Sequence, residues 1–103
     1  MVNMMKLMKQ AQSMQKNMEN LQAELANREY EASTGGGMVK AVVKGSMSVS
    51  RIQIDPKVAD PAEIEMLQDM VLSAVNTALE NARADAAAEM SKVTGGLGIP
   101  GLM

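Results

Sequence analysis

Lys6, Lys9 and Lys16 are the only charged side chains ahead of Glu19. Around them stand amides: Asn3, Gln10, Gln12, Gln15 and Asn17. Coiled into a helix, Lys6, Lys9, Ser13, Lys16 and Asn20 share one face, flanked by Gln10, Gln12 and Gln15. Lysines on such a face can neutralise phosphates, and amides such as Gln12 can reach base edges. The competing reading is a plain solvated helix face, which the same spacing also permits. A membrane-surface helix fits less well, because the chain has no Trp or Phe to anchor at an interface.

Other chemistry is sparse. The absence of histidine and cysteine removes the commonest general base, nucleophiles and metal ligands. Asp55 with Asp60, and Glu63 with Glu65, sit where a turn and a helix start need acids. No calcium-loop spacing occurs. Neither glycine cluster, Gly35–Gly37 or Gly95–Gly96, is followed by Lys-Ser or Lys-Thr, so neither makes a Walker-type phosphate loop. The expectation is a binding protein rather than an enzyme, with no cofactor, no metal and no small-molecule substrate. Charge is uneven along the chain. Residues 1–57 carry eight bases and five acids, residues 58–103 two bases and seven acids. An anionic partner should therefore meet the first half.

The elements that would position the lysines follow from periodicity. Apolar residues recur at Met4, Leu7, Ala11, Met14, Met18, Leu21 and Leu25 in alternating steps of three and four. This heptad seam predicts a helix over about 3–27 that packs along another helix. At 1.5 Å per residue it would be roughly 37 Å long, against a radius of gyration near 13 Å for a compact chain of this size. Either it projects or a second copy packs on it, and the seam is the expected dimer interface. A methionine-rich groove for a repair or replication partner, in a protein–protein adaptor, is the alternative use of the same residues.

Three antiparallel strands are expected at about 28–34, 37–44 and 47–54, joined by two-residue turns at Gly35-Gly36 and Gly45-Ser46. Those turns would align Glu31, Lys40 and Arg51 in one row, and Ala32, Val39 and Ile52 in an apolar row behind it. Asp55 and Pro56 end the third strand. Asp60, Pro61 and Glu63 start a second helix, with Ile64, Leu67, Val71, Ala74, Val75, Ala78, Leu79 and Ala82 on one face. It should run to about Lys92 and stop at Thr94-Gly95-Gly96, with Gly95 as the cap. The Gly-rich tail, about 94–103, has no element of its own and is expected to be flexible. The fold class is α+β, in the order α-β-β-β-α, with a three-stranded antiparallel sheet and two long helices. Residues 1–103 form a single domain by size. Tyr30 is the sole aromatic, so the core must be built from Met, Leu, Ile, Val and Ala. Such a core gains from burying more surface in a dimer. No transmembrane run is present, and lysines interrupt the N-terminus where a signal peptide needs apolar residues, so cytoplasm is expected.

The opening helix, GGGMVKAVVKG, IQIDP, AVNTALENA and KVTGGLGIPGLM follow one another here in one order. Together they resemble the YbaB/EbfC family of bacterial nucleoid-associated DNA-binding proteins, over about 4–102. The resemblance implies a tight, intertwined homodimer shaped like tweezers, whose projecting helices hold double-stranded DNA in the cytoplasm, at the nucleoid. It implies roles in nucleoid organisation, gene regulation and recombinational repair. It places DNA contacts at the start of the first helix, around Lys6, Lys9, Gln12 and Lys16, and at the end of the last, from Arg83 to Lys92. In this chain Glu80, Asp85 and Glu89 stand beside those last bases.

Overall fold

The computed structural model describes residues 3–96. Helix α1 spans Met4–Asn27, and strands β1 (Glu29–Thr34), β2 (Val39–Lys44) and β3 (Ser48–Ile54) follow. Helix α2 spans Ile64–Gly96. The expected α-β-β-β-α order is therefore observed. Asn3 caps α1, its side-chain oxygen accepting from the Lys6 amide at 3.2 Å. Asp55 and Asp60 each cap a 3₁₀ turn, Pro56–Val58 and Pro61–Glu63, and the second turn leads into α2. Gly95, expected as a cap, lies inside α2, which runs on to Gly96. The rest of the expected flexible tail, residues 97–103, lies outside the described residues.

The sheet order is β1-β2-β3, antiparallel throughout. The β1–β2 register differs from the expected one by two residues, and the β2–β3 register by one next to the turn and by two beyond the bulge. Glu31 pairs with Val42, not Lys40, and Arg51 also pairs with Val42. The apolar row is Ala32, Ala41 and Ile52, with Ala41 in place of Val39. The loops are the cause. Between Thr34 and Val39 the chain takes four residues, in which Gly35, Gly36 and Gly37 have φ of 60°, 70° and 94°. Only glycine adopts that run without strain. Between Lys44 and Ser48 it takes three residues, Met47 at φ 67°, and a bulge opposite Val42/Val43 absorbs one more. A shift of two preserves the faces, because side chains alternate with period two. Lys40 still reaches Glu31, diagonally, at 3.8 Å.

Helix α2 lies across β1 and β2. Ala74, Ala78 and Ala82 are fully buried and recur every fourth residue, so the helix backbone can approach the strands closely. Val39 and Val43 are the largest completely buried side chains beneath them. One cluster joins Ala32, Val43, Ala78 and Ala82, with Tyr30 and Leu79 packed against it; the other joins Val39, Ala41 and Ala74. The Thr34 hydroxyl donates to the Met70 carbonyl at 2.9 Å and ties the end of β1 to α2. All of β3 stays exposed, Val49, Ile52 and Ile54 included.

Candidate nucleic-acid interface

Helix α1 presents its whole first part to solvent. Every residue from Asn3 to Asn17 is exposed. Leu25 alone is buried on this helix, and Met18, Leu21 and Ala26 are half-buried. At about 100° per residue, the Lys9 and Lys16 directions fall roughly opposite the Met/Leu seam, and Lys6 lies about 110° from it. None of the three makes an ion pair among the described residues, so their charge is available to an outside anion. Lys6, Lys9, Asn3 and Met5 line a shallow cleft of about 330 Å³. Gln12 lies on the same exposed stretch.

The α2 candidates sit differently. Arg83 pairs with Glu80 at 3.4 Å and Lys92 with Glu89 at 3.5 Å. Each base thus has a carboxylate on its own helix, which weakens the potential it offers to a phosphate. The lysines of α1 form a local cluster by themselves, while Arg83 and Lys92 belong to an acidic neighbourhood.

The first four seam residues, Met4 to Met14, are not covered within the chain, while Met18 and Leu21 are half-buried and Leu25 is buried. Met4 is 70%, Leu7 48% and Met14 42% exposed, and Ala11 is exposed too. A second apolar surface was not foreseen from periodicity. Ile54 of β3 and Ile64, Leu67, Val71, Leu72 and Val75 of α2, together with Gln68, line a groove of about 450 Å³. It exists because α2 covers β1 and β2 and stops short of β3. The available clue was Leu72, an apolar residue off the main α2 stripe and 60% exposed.

A polar cluster at the root of α1 was also missed. The Arg28 guanidinium contacts Glu24 at 2.7 Å, Asp85 at 2.8 Å and Glu89 at 3.5 Å. The Tyr30 hydroxyl donates to the same Asp85 oxygen. That donation, and then Arg28, hold the Asp85 carboxyl below its ordinary range. Burial first, and then Asp85, push the Tyr30 hydroxyl up. Its three carboxylates hold the Arg28 guanidinium in its charged form. The clue was a lone tyrosine, whose hydroxyl needs a partner once its ring packs on a core.

Among the described residues, no group of acids could hold a metal ion, and no helix is long and apolar enough to cross a membrane. Comparison with known proteins adds to this geometry. The sequence model of the YbaB/EbfC DNA-binding family matches residues 1–97. A nucleoid-associated protein of Clostridium acetobutylicum is 52% identical over 100 residues, covering 97% of this chain and 89% of that protein. One from Ruminiclostridium cellulolyticum is 54% identical over 101 residues, covering 97% and 88%. In three dimensions, the crystal structure of an uncharacterized protein from Helicobacter pylori matches with a TM-score of 0.74 at 19% identity. That match covers 91% of this chain and 99% of the other, and shows a shared fold.

Proposed function

The chain belongs to the YbaB/EbfC DNA-binding family, and from that premise we propose that it is a nucleoid-associated protein that grips double-stranded DNA as a homodimer. The observation that carries this reading is α1 itself: a solvent-exposed helix with Lys6, Lys9 and Lys16 on the face away from its apolar seam. The dimer draws support from two uncovered apolar surfaces, the α1 seam and the groove between β3 and α2. A second copy would cover apolar area that a lone chain leaves in water. Lys6, Lys9, Lys16 and Gln12 are the assigned DNA contacts, with Arg83 and Lys92 subordinate because acids neutralise them.

Lys9 and Lys16 are two turns apart, about 10.5 Å along the axis. One helix can therefore touch neighbouring phosphates. Three lysines per subunit make about six phosphate contacts per dimer. Log affinity should then fall against log salt with a slope near −5, at about −0.9 per contact. Lys9→Gln removes two contacts per dimer and should flatten the slope by about 2. Affinity should drop equally on unrelated duplexes, since phosphates carry no sequence information. Gln12→Ala should instead alter preference among sequences. A folded Lys9→Gln dimer with the wild-type slope would refute the assignment, and α1 would then be better read as a docking helix for a protein partner.

A further inference from the structure

We propose that Arg28, Asp85 and Gly45 are positioning residues for DNA binding: they form a joint that fixes the angle at which α1 leaves the body. The proposal rests on the reading that α1 holds DNA. Within one chain α1 is exposed from its cap to Asn17, so the bonds that the chain itself supplies to set its direction lie in its last turns. Two independent sets of bonds meet there. In the first, the β2–β3 turn grips the backbone. The Gly45 amide donates to the Arg28 carbonyl at 2.9 Å and the Ser46 amide to the Ala26 carbonyl at 3.2 Å. The approach is so close that a Cβ on Gly45 would collide with the Leu25 carbonyl oxygen. In the second set, Arg28 links helix to helix. One guanidinium nitrogen holds Glu24 in the last turns of α1, and the other holds Asp85 and Glu89 of α2. Tyr30 of β1 locks Asp85 from the other side.

The joint acts through a long lever. Sixteen residues separate Leu25 from Lys9, about 24 Å of helix. A swing of about 10° at the root moves Lys9 by roughly 4 Å, more than the length of a hydrogen bond. Paired helices must present their lysines in register with a rigid duplex, so a loose root spreads the contacts without removing any of them.

Charge and position make opposite predictions for Asp85. By charge alone, deleting an acid should raise affinity for DNA. If Asp85 positions α1, Asp85→Ala should lower affinity several-fold while the salt slope stays at the wild-type value, because the phosphate contacts remain. The angle can be read directly. The chain has no cysteine, so spin labels go to Gln10→Cys on α1 and Gln53→Cys on β3 alone, in doubly labelled chain diluted with unlabelled chain. Electron–electron distances should be narrowly distributed in the wild type, broad in Asp85→Ala and intermediate in Arg28→Lys, which keeps the charge but loses the fork. Should Asp85→Ala not fold, Arg28→Lys decides by itself. A distribution as narrow as wild type, or a broadened one with undiminished affinity, overturns the proposal. The distance measurement needs no DNA. A failure of the DNA reading would show separately, in the Lys9→Gln slope.

Discussion

Tyr30 can be followed alone, because it is the one aromatic side chain of the protein. Its hydroxyl is pushed up by burial and by donation to Asp85. Tyrosinate absorbance should therefore rise with a midpoint above the free-tyrosine value of about 10. Asp85→Asn should bring that midpoint down part of the way, leaving the contribution of burial. A folded pKa above the unfolded one means stability that is full below about pH 10 and lost as pH climbs through the folded value. Asp85 has the opposite sign. Its folded pKa lies below the unfolded one, so its contribution is present above about pH 4 and disappears as pH falls towards the folded value. Acid unfolding of Asp85→Ala should accordingly begin from a lower stability and fall less steeply. Gly45 and Gly36 separate two reasons for keeping a glycine. At Gly45 the obstacle is the Leu25 carbonyl, and Gly45→Ala should cost about 1–3 kcal/mol in urea unfolding, as overpacking does. At Gly36 nothing lies within 4 Å and only φ of 70° resists a side chain. Gly36→Ala should cost about 1–2 kcal/mol, the penalty of a left-handed residue.

At the scale of elements, α2 is asymmetric in a useful way. Its alanine stripe is fully buried on β1 and β2, while Leu72 and Ile64 face open space beside β3. The two sides predict different mutant behaviour. Ala78→Asp puts a charge into a fully buried position and should prevent folding. Leu72→Asp replaces a side chain that is 60% exposed within the chain and should leave the subunit folded. If the groove is the dimer contact, Leu72→Asp should also sediment as a monomer while keeping its helical circular dichroism. A Leu72→Asp protein that stays dimeric would shift the interface to the α1 seam, where Leu21→Asp is the matching substitution. β3 poses the same question. An edge strand with Val49, Ile52 and Ile54 exposed invites association.

The whole molecule is elongated, 75 × 25 × 16 Å, with a radius of gyration of 20.3 Å. A compact chain of this length would have about 13 Å. Two long helices, of 24 and 33 residues, set the shape. A body this thin has little interior, and its buried set is mostly alanine and valine. We expect sedimentation at micromolar concentration to give about 22 kDa, twice the 11.0 kDa chain. A stable folded monomer would contradict the dimer. Net charge is only −2, so the overall field does not favour DNA. On the proposed assignment the affinity comes from the local lysine cluster of α1, and it should be modest and strongly salt-dependent.

Much of this was legible in the residues. The heptad steps from Met4 to Leu25 determined α1 almost to the residue, since a helical period repeated without Gly or Pro admits no other element. Asp60 marked a helix start because its short side-chain oxygen can cap a free amide. The alternation in β2 placed Val39, Ala41 and Val43 on the core face, but Val42, on the other face opposite Glu31 and Arg51, is buried as well. The hairpin registers were settled only by the tertiary structure. Loop length depends on how three glycines at positive φ and Met47 at φ 67° accommodate the strands, and period-two alternation is equally satisfied two residues away. The same holds for the joint. Arg28 and Asp85 lie 57 residues apart, and nothing local links them. They meet because the alanine stripe of α2 seats that helix on β1 at one depth, which brings Asp85 to Tyr30 and Arg28. Periodicity could show that α1 had an apolar seam, but not that its first half, Met4 to Met14, would stand clear of its own chain; that followed from where the β2–β3 turn pins its end.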